Sequence, residues 1–460
     1  MYDPHVSLSA VSLRCEACGH VPARLVDAPY PFVCERAGDG ADHLVAPCLD
    51  RHRAVFPTDE GRPFVRFRHL LHAHAAALAL GLGDQGYLAI EERLHRALIE
   101  VDRRGFVTTP LLRGEFELPH EVWIKDETNN VGGSHKGRHL FGVLLHLEVV
   151  RAAGLEPSPA PRLAIASCGN AALAAAVLAR AADRALAVMV PTDAHPNVLA
   201  RLSSLGADVR VCPRENGVLG DPTVAAFRAA VAEGALPFAC QGPECGLTLD
   251  GGKTLGFELV AQRPAGFDRV FVQVGGGALG SSLARAFDDA VALGALPTRP
   301  RFMTVQTEAV APLAAAYERI VEVVRARTFH PLPERGDALA DALRDEAVAP
   351  LVEAVLAEVV VDRPRWLPIW PRPGHSAAHG ILVDETYDAV ALLRAMFTTS
   401  GWPIVVDEAT VLEAESLGRS ATSIDVDATG TAGFAGLLAW SRAHEGPPER
   451  TLALFTGARR

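Results

Sequence analysis

Short apolar runs rich in β-branched residues alternate with alanine-rich stretches of helical spacing along most of the chain. The apolar runs fall at residues 122–125, 163–167, 186–191, 209–212, 270–274, 302–306 and 452–455. Helical spacing recurs between them over 171–182, 196–205, 223–232, 253–261 and 281–293. Strands separated by helices predict parallel sheets covered on both faces, an α/β fold. Ahead of this region, 69–82 and 91–101 read as helices parted by a glycine-rich turn at 81–86. The first fifty or so residues show no periodicity. The proline-rich stretches 155–161 and 362–373 read as surface loops.

Composition narrows the class. A chain of 460 residues exceeds one small core and predicts two to three domains. Hydrophobic residues make up 49% and charged ones 22%, which suits a packed globular protein, and the formal charge of −11 argues against nucleic acid or an anionic membrane as partner. A small molecule is the expected partner. The sequence has no long uncharged apolar run, and residues 1–13 lack the basic start and apolar stretch of a signal peptide, so a cytoplasmic location is expected. The eight cysteines then read as reduced, serving as metal ligands or core residues.

Half of those cysteines lie in an N-terminal segment, residues 1–55. Cys15-Glu16-Ala17-Cys18-Gly19 is a turn that presents two thiolates to one tetrahedral ion. The second turn, Cys34-Glu35-Arg36-Ala37-Gly38, has alanine where the partner thiol belongs. Cys15, Cys18, Cys34 and Cys48 form the candidate zinc set, with His43 as the alternative to Cys48. A closed site of this kind would be structural; the other reading is a degenerate ribbon that packs without metal. His69, His72 and His74 do not share one helical face and read as packing or solvated side chains.

Chemistry enters through the lysines. Of 44 Lys and Arg residues only three are lysine, at 125, 136 and 253. An amine can lose its proton and condense with a carbonyl, whereas guanidinium stays charged. Lys136 is the best placed, in Gly132-Gly133-Ser134-His135-Lys136-Gly137-Arg138-His139, a small-residue stretch leading into the apolar run 140–150. Ligands of open α/β sheets sit beyond the carboxyl ends of strands, and three such places qualify. Ser167-Cys168-Gly169-Asn170-Ala171 can hold a carboxylate on helix-terminal N–H groups. Gly275-Gly276-Gly277-Ala278-Leu279-Gly280 lets backbone approach a phosphate; it also fits the dinucleotide pattern, which keeps an NAD-linked oxidoreductase as an alternative. The last run delivers Thr456 next to Gly457.

In this order and spacing, these parts resemble the fold-type II pyridoxal 5′-phosphate enzymes: threonine synthase, threonine and serine dehydratases, cysteine synthase and the tryptophan synthase β chain. The resemblance covers about residues 105–460. It implies two parallel-sheet subdomains with the cofactor between them, in a catalytic region 56–460 whose smaller subdomain, roughly 140–260, is inserted in the larger. By the same resemblance Lys136 forms the Schiff base with the cofactor, His135 and Gly275, Gly276, Gly277, Ala278, Leu279 and Gly280 serve its phosphate, Asn170 its 3′ oxygen and Thr456 its pyridine nitrogen. Ser167, Cys168, Gly169, Asn170 and Ala171 would hold the substrate carboxylate. A homodimer is expected on the same ground.

Among members, Lys125-Asp126-Glu127, the Cys-x-x-Cys start, Asp427-Ala428-Thr429-Gly430-Thr431-Ala432-Gly433 and Thr456-Gly457 look most like threonine synthase and its relatives. His135 before the lysine is similar to the tryptophan synthase β chain instead, and Lys136-Gly137-Arg138 departs from the usual Lys-Asp-Arg. No cationic set for a phosphorylated substrate stands out, although Lys253 is available to one. The expected activity is β- or γ-elimination or replacement on a small amino acid, as in an ammonia-lyase or threonine synthase. A tryptophan synthase β-like enzyme and a catalytically silent binding protein of the same fold are the alternatives. The polar and aromatic stretch 366–387, with Trp370, Arg372, His375, Ser376, His379 and Asp384, is a candidate substrate-selecting loop.

Overall fold

The computed structural model describes residues 9–214, 220–367, 369–371 and 374–459; Arg372 and the first part of the stretch assessed for a signal peptide lie outside the described residues. Its strands are β1 (Val11–Cys15), β2 (Val45–Leu49), β3 (Leu111–Gly114), β4 (Glu121–Asp126), β5 (Leu163–Ala166), β6 (Leu186–Val190), β7 (Asp208–Val211), β8 (Leu236–Pro237), β9 (Arg269–Gln273), β10 (Arg301–Thr307), β11 (Pro403–Val406) and β12 (Arg450–Phe455). The chain divides into two compact units, residues 1–36, 43–108 and 130–258 in one and 37–42, 109–129 and 259–460 in the other.

The first unit holds a four-stranded parallel sheet of order β7-β6-β5-β8 and the antiparallel pair β1-β2. Every residue of β6, Leu-Ala-Val-Met-Val, is buried, as a strand covered on both faces requires. The N-terminal segment shares the core of this unit: Leu13, Cys15, Phe32 and Val45 belong to one buried cluster with Phe141, Leu144 and Leu247. Two of its helices, Lys136–Ala152 and Leu247–Gln262, pass so close that a Cβ on Gly142 would stand 2.7 Å from Gly251 Cα.

The second unit is built on a six-stranded sheet of order β11-β10-β9-β12-β4-β3. The C-terminal strand β12 enters its middle, parallel to both β9 and β4. Its run Leu452-Ala453-Leu454-Phe455 is fully buried, which explains why so late a strand takes a central position. Only β3 runs antiparallel, at the edge, where its side chains are partly exposed. The helix Ala428–Ala443 lays Phe434, Leu437 and Leu438 on this sheet, and Asp427 caps it by accepting from the Gly430 N–H at 2.6 Å. Among the described residues no helix is long and apolar enough to cross a membrane.

Candidate active site

The three lysines have different surroundings. Lys125 is fully buried on β4, where Nζ donates to Thr109 O at 2.8 Å and Gln262 Oε1 at 2.9 Å. Lys253 is also buried, 3.2 Å from the Asp250 carboxylate and within reach of Leu70 O. Its charge is matched inside the first unit, which removes it as a cation for a substrate phosphate. Lys136 is half-buried at the first position of its helix, and among the described residues no group bonds to its Nζ.

The loop that delivers Lys136 is fixed from both sides. Asn130 caps its start by accepting from the Val131 N–H, and the Gly132 N–H donates to Asp102 at 2.9 Å. Gly132 backs onto Ala174 of the helix Asn170–Ala181, so within this unit the lysine loop and the Asn170 helix are packed together. Ser134, fully buried two residues before the lysine, has an Oγ without a partner. His135, also buried, sits edge-on to His139 at 5.6 Å. In the turn after β5, Ser167 Oγ accepts from the Gly169 N–H, and Asn170 opens the following helix. The backbone N–H groups of that first turn have no intrahelical acceptor and face whatever lies beyond it. Arg138, two residues after the lysine, is a buried residue that pairs bidentately with Glu258.

The second unit carries the glycine turn and Thr456. The turn joins β9 to the helix Ala278–Ala292. Gly277 has φ of +103°, a left-handed conformation that suits glycine, and a Cβ there would stand 3.1 Å from both Asp388 Cβ and Leu392 Cδ1. The other side of the turn is lined by the end of the 366–387 segment: Cβ atoms on Gly275 and Gly276 would meet Ile381 and Tyr387 at 3.0 Å, and the Asp388 N–H donates to Gly276 O. That segment therefore backs the glycine turn, while His375 and His379 are exposed and Trp370 N–H donates to Asp384 O. Thr456, at the end of β12, is buried and accepts from Gln273 Nε2 at 2.7 Å. Gln273 also donates to the carbonyls of Gly430 and Leu454. Sequence reasoning passed over Gln273, although a polar residue ending an apolar strand directly before a glycine turn was a legible signal.

Residues present in each unit fit pyridoxal phosphate. A turn that any side chain would crowd leads into the N-terminus of a 15-residue helix, whose first N–H groups suit a phosphate. A half-buried amine two residues after an unpartnered buried hydroxyl suits a carbonyl-bearing cofactor. In the N-terminal segment, Cys15, Cys18, Cys34 and His43 come together, whereas Cys48 lies outside that group on β2, with its thiol directed at Ala46 O. The candidate set with Cys48 is thus corrected to one with His43.

A family model described as pyridoxal-phosphate dependent enzyme matches residues 103–361, more than half of the chain. Among solved structures, the processed form of threonine deaminase isoform 2 from Solanum lycopersicum superimposes with a TM-score of 0.55 at 15% identity, covering 80% of this chain and 90% of that one. A threonine deaminase from T.th. gives 0.53 at 22% identity, covering 79% and 98%. A fungal L-serine ammonia-lyase from Rhizomucor miehei gives 0.52 at 16%, covering 77% and 94%. At these identities the structures speak for the fold. A search of curated proteins returned no match. The family match and the shared fold place this chain among the fold-type II pyridoxal-phosphate dependent enzymes.

Proposed function

We propose that the chain eliminates a leaving group from Cβ or Cγ of a small amino acid, after which the unsaturated product either hydrolyses at Cα to a keto acid and ammonia or takes up a nucleophile, as in an ammonia-lyase or threonine synthase. The observation that carries the reading is the contrast among the lysines: Lys125 and Lys253 are buried and bonded, and Lys136 presents an uncommitted amine on a glycine-rich loop. Lys136 would hold the cofactor's aldehyde carbon, the Gly275–Gly280 turn its phosphate, Asn170 its 3′ oxygen and Thr456 its pyridine nitrogen.

Pyridoxal phosphate, when bound, withdraws electrons from the substrate's Cα and so acidifies the hydrogen there. The amine of Lys136 would take that proton as general base. The N–H groups of the turn from Ser167 to Ala171 hold the substrate carboxylate and fix which bond at Cα is cleaved. Thr456, oriented by Gln273, offers the ring nitrogen a neutral hydroxyl in place of a carboxylate. That choice moderates electron withdrawal and favours departure of a leaving group over transamination. Structural neighbours are named threonine deaminase, serine racemase, aspartate racemase and O-ureido-L-serine synthase, names that support a small amino acid as substrate. The 366–387 segment, which backs the glycine turn, is the proposed substrate-selecting element.

Borohydride reduction of the purified holoenzyme followed by peptide mapping tests the assignment. The pyridoxyl label is expected on Lys136, and Lys136→Ala should abolish both label and turnover. A label on Lys125 or Lys253 overturns it. Release of ammonia and a keto acid from single amino acids then tests the elimination.

A further inference from the structure

Cys15, Cys18, Cys34 and His43 take no part in the reaction proposed above, yet their ligand atoms converge. Cys15 Sγ stands 3.4 Å from His43 Nδ1, Cys18 Sγ stands 3.7 Å from Cys34 Sγ, and all four atoms lie within 4.8 Å of one another. An ion bound tetrahedrally at about 2.3 Å from sulfur and about 2.0 Å from nitrogen separates its ligands by roughly 3.8 Å for sulfur pairs and roughly 3.5 Å for sulfur and nitrogen. The observed spacings are those of a ligand shell. A disulfide explains them less well, because its sulfurs approach to about 2.05 Å and it gives no reason for a second thiol and an imidazole at the same point.

Of the two turns only the first, Cys15 to Gly19, has the paired-cysteine sequence, and Cys34 stands alone in the second. Gly19 takes the left-handed conformation that the first turn needs, with φ of +69°. Cys15 ends β1 and His43 lies just before β2, so the antiparallel pairing of these strands brings together residues 28 apart in sequence.

We infer that Cys15, Cys18, Cys34 and His43 through Nδ1 form a zinc site. Three thiolates and one imidazole in tetrahedral arrangement select zinc among the available divalent ions. Four protein ligands leave no open position, so the ion is structural and activates no water. Its place in the core gives it a purpose. Phe32, two residues before Cys34, packs edge-on against His146 at 6.1 Å, and Pro29 O accepts from His146 Nε2 at 2.8 Å. His146 lies in the helix that begins at Lys136. The ion therefore secures a loop that covers this helix, and its loss loosens the support of the lysine without removing a reacting group.

Metal analysis of the full chain, purified from zinc-replete culture, should find one zinc per chain. Cys18→Ser and His43→Ala should each lose most of it, His43→Cys should keep it, and Cys48→Ser should keep the full complement. Replacing zinc by cobalt in the wild type should give intense tetrahedral bands with thiolate-to-cobalt charge transfer, and this decides the matter if the variants do not fold. The inference is overturned by a metal-free or iron-bearing chain, by zinc retained in Cys18→Ser, or by weak octahedral cobalt bands. Cofactor content measured in the same samples separates this site from the pyridoxal phosphate reading, since either can fail alone.

Discussion

Removing the guanidinium of Arg138 should expose how the start of the lysine helix is held. Arg138 Nη1 and Nη2 donate to the two oxygens of Glu258 at 2.7 and 3.1 Å, Nη1 reaches Thr254 Oγ1 at 3.2 Å, and the paired side chains are 1% and 0% exposed. Arg138→Met keeps much of the aliphatic stem and leaves a buried carboxylate without its counterion, which costs about 3–5 kcal/mol. For a unit of this size that corresponds to a fall in Tm of roughly 6–20 °C. Equilibrium urea unfolding followed by circular dichroism measures the loss as a lower midpoint at unchanged slope. The double variant Arg138→Met with Glu258→Leu removes both charges and should recover most of the stability. A loss below about 1 kcal/mol in the single variant, or a double variant less stable than the single, refutes the claim that this pair anchors the helix.

Gly277→Ala forces a side chain into a left-handed turn against Asp388 and Leu392, a strain of about 1–2 kcal/mol. Apoenzyme titrated with pyridoxal phosphate should then show roughly tenfold weaker binding. Burial holds His72 at about 4 and His139 and His146 at about 3, with the charge of Lys253 adding to the effect at His72 and that of Lys136 at His139. Each stays neutral in the folded chain and protonates in the unfolded one, so stability is full above about pH 6.5 and falls toward pH 4 by about 1.4 kcal/mol per pH unit for each histidine. His146→Gln should lessen that slope by one proton in urea midpoints taken between pH 7 and pH 5. Lys125→Arg places a wider planar cation in a fully buried site and should cost about 1–3 kcal/mol, measured by thermal unfolding, with the pyridoxyl label still on Lys136.

The α/β alternation was legible because the central strands are apolar without interruption. The runs at 270–274 and 452–455 match β9 and β12 almost residue for residue. What escaped was short or chemically mixed. β11 has three apolar residues behind a proline, β3 has four residues on a sheet edge, and β1, though it alternates buried and exposed positions, is five residues long in a stretch without other periodicity. The helix read from 253 begins at Leu247, because Gly251-Gly252 looks like a break in a sequence. In space, Gly251 is where a neighbouring helix passes, with a Cβ there 2.2 Å from Arg138 O. The residues of the proposed site were visible because they recur at strand ends in a fixed order. Partners far apart in sequence were not: nothing in the chain announces that Arg138 meets Glu258, 120 residues on, or that His43 and not Cys48 turns toward Cys15.

The scarcity of lysine carries two physical meanings, and burial tells them apart. A position that rejects arginine does so either because guanidinium is too wide or because it cannot give up its proton and form a bond to carbon. Lys125 and Lys253 belong to the first kind. Each is enclosed, each is satisfied by oxygens at 2.8–3.5 Å, and each would pass its role to no planar group without moving its neighbours. The second kind is what we propose for Lys136, since among the described residues no bond holds its half-buried amine. Composition alone counts all three alike. An unbonded amine points to chemistry only against two bonded ones in the same chain, which is why the covalent role proposed for Lys136 rests on the contrast and not on the motif around it.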